Sequence, residues 1–150
     1  MNANELRIGN LVEYDGLVLS VLGVSESDVE IQRPGGYASE WSEWVDLDDC
    51  KPIPLTEEWL LRMGFIDESD SKGEACMKIK GHGKYYAWEF ILPYDPDYME
   101  GGVGFVIQQW QIGFENEVFD VQIPTIIYHV HQLQNLYFAL TGEELEIKEQ

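Results

Sequence analysis

Histidine and cysteine, the scarcer of the residue types that could bind a metal or do catalysis, number three and two in this chain. His129 and His131 stand two apart, so on a strand both imidazoles would face one side as metal ligands, with His82 as a third. On a helix the same spacing turns the rings about 200° apart, and they cannot share an ion. Ile126 and Ile127 favour a strand, whereas Leu133 onward favours a helix, so the boundary falls at the pair. Packing or capping is the ordinary role of histidines placed there. Lys78, Lys80, His82 and Lys84 gather positive charge at a predicted hairpin tip, where Gly81 and Gly83 would let backbone amides approach an anion. A solvated sheet face, or an edge guarded against aggregation, shows the same alternation, and that is the plainer reading.

Two acidic runs, Asp67, Glu68, Asp70 and Glu74, then Asp95, Asp97 and Glu100, offer oxygen ligands. Neither follows the EF-hand order: Gly73 falls one position late after Asp67, and no bidentate glutamate follows at the required spacing. They read as solvated loops. The chain has no GxSxG elbow, P-loop, HExxH or GxGxxG. Cys50 and Cys76 lack knuckle or redox spacing and read as free thiols. These signals imply no cofactor and lean away from catalysis, although a site assembled from distant residues leaves no local trace.

Binding surfaces are better represented. His131, Gln134, Asn135 and Phe138 share an arc of the predicted helix away from its apolar stripe, which sets hydrogen-bonding groups around one aromatic ring. That arc is a candidate partner face, joined by the exposed-aromatic potential of Trp41 and Trp44. The competing reading buries the helix between two layers and makes Phe138 second-side core.

The elements that must position these residues follow from pattern. Ile8, Leu11, Val12 and Tyr14, then Asp15-Gly16, then Leu17 to Val24 read as a hairpin, because Asp-Gly suits the positive φ of a type I′ turn. Val29 to Ile31 and Trp41 to Val45 add further short strands around Pro34-Gly35-Gly36, and the set predicts a small SH3-like β-barrel. Pro52 and Pro54 stiffen a connector. Thr56 then caps a short helix with Glu57 and Glu58 in its first turn, Trp59, Leu60, Met63 and Phe65 on its buried side, and Gly64 at its end. Strands over 76–80, 85–92, 103–112 and 118–123 predict one antiparallel sheet. Val130, Leu133, Leu136, Tyr137 and Leu140 form a helix stripe over 127–141 that would cover it; Gly142 ends the helix and Leu145 to Ile147 add a last strand. The expected class is α+β, divided at 1–55 and 56–150 and packed as one unit.

Composition bounds the function. The chain has 150 residues, 45% hydrophobic and 13% aromatic, enough for one domain with a true core. It carries 28 acidic against 9 basic side chains, a formal charge of −19, which repels phosphate backbones and anionic membranes and excludes nonspecific nucleic-acid binding. The acidity is spread, 17 against 5 over residues 1–75 and 11 against 4 beyond, so solubility explains it more simply than imitation of DNA. No apolar run approaches the roughly 18–20 residues of a membrane span, and the N-terminus lacks the order of a signal peptide, so the expected location is the cytoplasm.

ELRIGNLVEYDG and PIPLTEEWLLRMGF in the first half and HVHQLQNLYFALTGEELEI at the end resemble a group of short uncharacterised proteins encoded by gut Bacteroidales-type bacteria and by their prophages and phages. The likeness covers roughly the first 16 residues, 52–65 and 129–147, and leaves the central sheet unmatched. The family carries no known activity, cofactor or catalytic residue. The resemblance implies a mobile-element accessory role. The expected function is therefore a non-enzymatic protein-binding module with a protein partner, with an acidic DNA-mimic inhibitor and a small metal-dependent hydrolase as the alternatives.

Overall fold

A computed structural model describes residues 1–32, 41–67, 75–82, 86–94, 105–106, 109–114, 117–121 and 126–148, and over 75–126 it describes the backbone alone. The class is α+β. In chain order the strands are β1 (Leu11–Tyr14), β2 (Leu17–Val24), β3 (Asp28–Gln32), β4 (Ser42–Asp46), β5 (Ile66–Asp67), β6 (Ala75–His82), β7 (Tyr86–Tyr94), β8 (Phe105–Val106), β9 (Gln109–Phe114), β10 (Glu117–Val121) and β11 (Ile126–Ile127). The helices are α1 (Glu57–Arg62) and α2 (Val130–Thr141). The chain divides into two units, residues 1–54 with 129–144 and residues 55–128 with 145–150.

In the first unit the strands run antiparallel in the order β1-β2-β3-β4. Asp15 and Gly16 both take positive φ, 52° and 74°, and set Tyr14 opposite Leu17, as a type I′ turn requires. Alternation sends Val12, Leu19, Val21, Val29, Ile31 and Val45 inward, where they pack with Leu6, Leu47 and Cys50. Those inward residues are mostly β-branched, a shape that packs well on a pleated, buried face. The register slips between Val21 and Gly23, a bulge that leaves Leu22 exposed. After β4 a 3-10 turn, Leu47–Asp49, is capped by the Asp46 side chain on the Asp48 amide. Lys51 then pairs with Glu13 on the open side of β1 through two backbone bonds of 2.9 and 2.8 Å. β1 and β4 are not paired to each other, so among the described residues the sheet is open, not a closed barrel.

Helix α2 belongs to this unit. It was expected to cover the sheet of the second half and to start near residue 127; it begins at Val130, whose amide donates to the Ile53 carbonyl, because Ile126–Ile127 form β11. The stripe of Val130, Leu133 and Tyr137 is buried, and Gly142 closes the helix in the left-handed region at φ 74°.

In the second unit Thr56 Oγ1 accepts from the Trp59 amide at the start of α1, and Gly64 (φ 86°) reverses the chain after it, with the Phe65 amide returned to the Leu60 carbonyl. Leu55, Leu60, Met63, Phe65, Ile127 and Leu145 are buried. The sheet is antiparallel in the order β10-β9-β7-β6-β5, while β8 and β11 pair separately, so the predicted strand 103–112 is two strands in two sheets. Residues 145–147, expected to be a strand, are irregular, and Lys148 donates its amide to the Arg62 carbonyl.

Candidate functional site

The histidine pair sits where strand gives way to helix. His129 is the extended residue before α2 (φ −132°, ψ 153°), its amide bonded to Gln132 Oε1, and His131 is already inside the first turn. The rings neither converge nor diverge: they stack, with centroids 5.6 Å apart and planes 11° apart. No group of three or more potential metal-ligating side chains forms among the described residues, and of His82 only the backbone is described. His131 is 1% exposed and neither ring nitrogen has a partner among the described residues. Burial, followed by the neighbouring His129 charge, lowers its pKa to about 4.

The rest of the predicted partner arc on α2 serves the N-terminal segment. Gln134, 3% exposed, accepts from the Leu11 amide at 3.0 Å through Oε1 and donates to the Gly9 carbonyl at 3.1 Å through Nε2. Asn135 donates to the Glu5 carbonyl at 2.7 Å and accepts from Asn10 Nδ2 at 2.8 Å. The physical reason is that residues 5–11 reach β1 with backbone groups that no strand satisfies, and two side-chain amides meet them. His131 and Gln134 therefore offer no surface to a partner. Phe138 keeps 40% exposure, with the Arg7 guanidinium 4.4 Å from its ring centre and Arg7 held by Glu144 through two 2.7 Å contacts. Those Arg7 hydrogen bonds hold the Glu144 carboxyl below its ordinary range.

Trp41 and Trp44 are open. They are 68% and 56% exposed, the first just before β4 and the second on its outer face. Trp44 lies opposite Glu30, which in turn lies opposite Gly23, and a Cβ added at Gly23 would stand 3.1 Å from the Trp44 ring tip. The glycine thus makes room for the indole to lie along the sheet. Glycine inside a strand is the sequence signal that marks this close approach; Arg7, Asn10 and the carboxylates around Trp44 carry none that pattern reading detects.

On β6, Lys78, Lys80 and His82 share one face by the strand's period of two, with Lys80 opposite Glu89 and Lys78 opposite Ile91. Lys84 of the predicted anion patch lies outside the described residues, as do Glu68, Asp70, Glu74, Asp95, Asp97 and Glu100. Cys50 is a buried free thiol whose pKa is raised by burial and then by Asp49 and Asp46, which keeps it protonated and unreactive. No helix among the described residues is long and apolar enough to cross a membrane.

Compared with known proteins, the chain matches no family model, no curated protein and no solved structure.

Proposed function

We propose that this chain is a non-enzymatic protein-binding module, an accessory protein of the mobile-element type that its resembling segments imply, acting in the cytoplasm. The observation that carries the reading is the pair of tryptophans, Trp41 and Trp44, standing 68% and 56% exposed on one small unit. A buried indole contributes a large apolar area to an interface, and tryptophan is among the residues that dominate binding energy. The polar side chains of α2 support it from the other side: the buried Gln134 and the half-buried Asn135 are spent on the N-terminal segment, Gln134 on the Leu11 amide and Gly9 carbonyl and Asn135 on the Glu5 carbonyl and Asn10 side chain, not grouped around a reacting centre. A reducing compartment accords with the free Cys50 thiol.

The scaffold proposed for the first unit is a small SH3-like barrel. Four meandering strands, a 3-10 turn and then Lys51 returning to β1 through Glu13 support that path. Anion capture by Lys78, Lys80 and His82 rests on their shared face of β6, with Lys84 following in the sequence outside the described residues, and stands second to the tryptophans.

Affinity capture from the native host, with wild type and a Trp41→Ala/Trp44→Ala variant as parallel baits, tests the reading. A protein retained by wild type and lost from the variant is expected. No protein retained specifically by the wild type would refute it.

A further inference from the structure

We propose that the outer face of the β3–β4 ribbon docks a cationic protein segment, laying an arginine or lysine side chain on Trp44 between Asp28, Glu30 and Asp46. The inference rests on the binding-module reading and names the chemistry of the partner and its seat.

The face is built by register. Asp28 lies directly opposite Asp46, Glu30 opposite Trp44, and Gln32 opposite Ser42, all on the side away from Val29, Ile31 and Val45. Like charges directly opposite on neighbouring strands destabilise a sheet. Among the described residues no cation pairs with Asp28, Glu30 or Asp46: Ser27 donates to Asp28 at 2.7 Å, Ser42 to Glu30 at 2.6 Å, and the Asp48 amide to Asp46 at 2.9 Å. From Ser25 to Cys50 the sequence holds eight carboxylates and one basic residue, Arg33, which lies outside the described residues.

In the midst of this charge lies an apolar surface, the Trp44 indole laid toward Gly23, with Leu22 exposed at the bulge beside it. Tryptophan is the best cation–π acceptor, and flanking carboxylates complete the match to a guanidinium or ammonium group. An anionic or purely apolar partner would leave these carboxylates desolvated without a counter-charge. The charge therefore selects the occupant.

Asp28 and Asp46 also have local duties, since one anchors the Ser25–Asp28 turn and the other caps the 3-10 turn. Asparagine accepts the same bonds as well as aspartate does, so those duties do not require the charge.

The test uses the full chain, a synthetic peptide alternating arginine with glycine, and its glutamate counterpart, followed by amide and indole NMR shifts. Shifts are expected at residues 28, 30, 44 and 46 with the arginine peptide and none with the glutamate peptide, and raising salt from about 50 to about 500 mM should weaken binding about 10-fold. Trp44→Ala should weaken it about 5-fold, and Gly23→Ala, whose Cβ crowds both the Trp44 ring tip and the Glu30 side chain without deleting either, should weaken it in the same direction. Asp28→Asn with Asp46→Asn should weaken binding while leaving the melting temperature unchanged or higher. Shifts confined to another face, or affinity unchanged in Trp44→Ala and the double asparagine variant, would overturn this site and leave the binding-module reading standing. A chain that binds neither peptide overturns this site, and if host capture also yields no specific partner, the binding-module reading falls with it.

Discussion

His131 gives the sharpest test of the described packing, because three features of its position oppose a positive charge there. It is 1% exposed, it stacks on His129 with ring centroids 5.6 Å apart, and it stands in the first turn of α2, at the positive end of the helix dipole. The charges facing it are His129 and the N-terminal amine, which disfavour protonation, and Glu5, which favours it. The result is a pKa lowered to about 4, with burial the largest cause. The unfolded chain takes up this proton near pH 6.5, about the ordinary histidine value, and the folded chain does not until near pH 4. Between those values the unfolded state binds more protons, so stability rises with pH. The contribution is fully present above about pH 6.5 and falls by about 3 kcal/mol as pH drops to about 4.

Carboxylate protonation over the same range relieves the repulsion of a −19 chain and acts with the opposite sign, so the measurement is a difference. Urea unfolding of wild type and His131→Leu, read from the α2 amides, should show a gap that changes by about 3 kcal/mol in favour of the variant between about pH 7 and pH 4. NMR of the His131 ring protons on the folded protein follows the titration directly, and His129→Ala, by removing the second cause, should raise the value. A His131 ring that titrates near pH 6.5, or a gap independent of pH, would refute the reasoning.

Four further outcomes follow from single contacts. Gln134→Leu strands the Leu11 amide and the Gly9 carbonyl and should cost about 2–3 kcal/mol, seen as a lower urea midpoint. Gly142→Ala meets no atom within 4 Å, so only the left-handed backbone at φ 74° opposes it, at about 1 kcal/mol, measured as a melting temperature lower by about 3 °C. Thr56→Ala removes a 3.4 Å cap bond, long for its type, and should cost only about 0.5 kcal/mol by the same assay. The Arg7–Glu144 pair is partly solvated and contributes at most about 1 kcal/mol. Because Glu144 is held below its ordinary range, that contribution is present at neutral pH and disappears as acid protonates the carboxyl, so Glu144→Gln should lower stability at neutral pH and not in acid.

Local chemistry made much of the fold legible. Asp15-Gly16 specifies its turn through backbone conformation alone, Gly64 and Gly142 mark left-handed chain reversals, and alternation picks Val12, Leu19, Val21, Val29 and Ile31 as core. The placement of α2 was not legible in the same way. A stripe with a period of 3.6 states that Val130, Leu133 and Tyr137 are buried, but not what buries them. Gln134 and Asn135 looked like a partner surface because a side-chain amide presents the same donors and acceptors to its own backbone as to another protein. The aspartate pair was equally hidden, since the opposition of Asp28 and Asp46 is a product of register across the intervening loop.

That opposition changes what the acidity means. Solubility requires net charge, and any exposed position supplies it equally well. It gives no reason to set two carboxylates directly across a sheet, where their repulsion works against the strand pairing. Imitation of DNA would need a negative stripe free of apolar surface, yet the Trp44 indole lies within this one, toward Gly23. An indole reaching toward Gly23 beside two carboxylates that no cation among the described residues neutralises has the composition of a receptor for a single cationic side chain. On this ground the charge, which at the level of composition only excluded partners, selects one at the β3–β4 face.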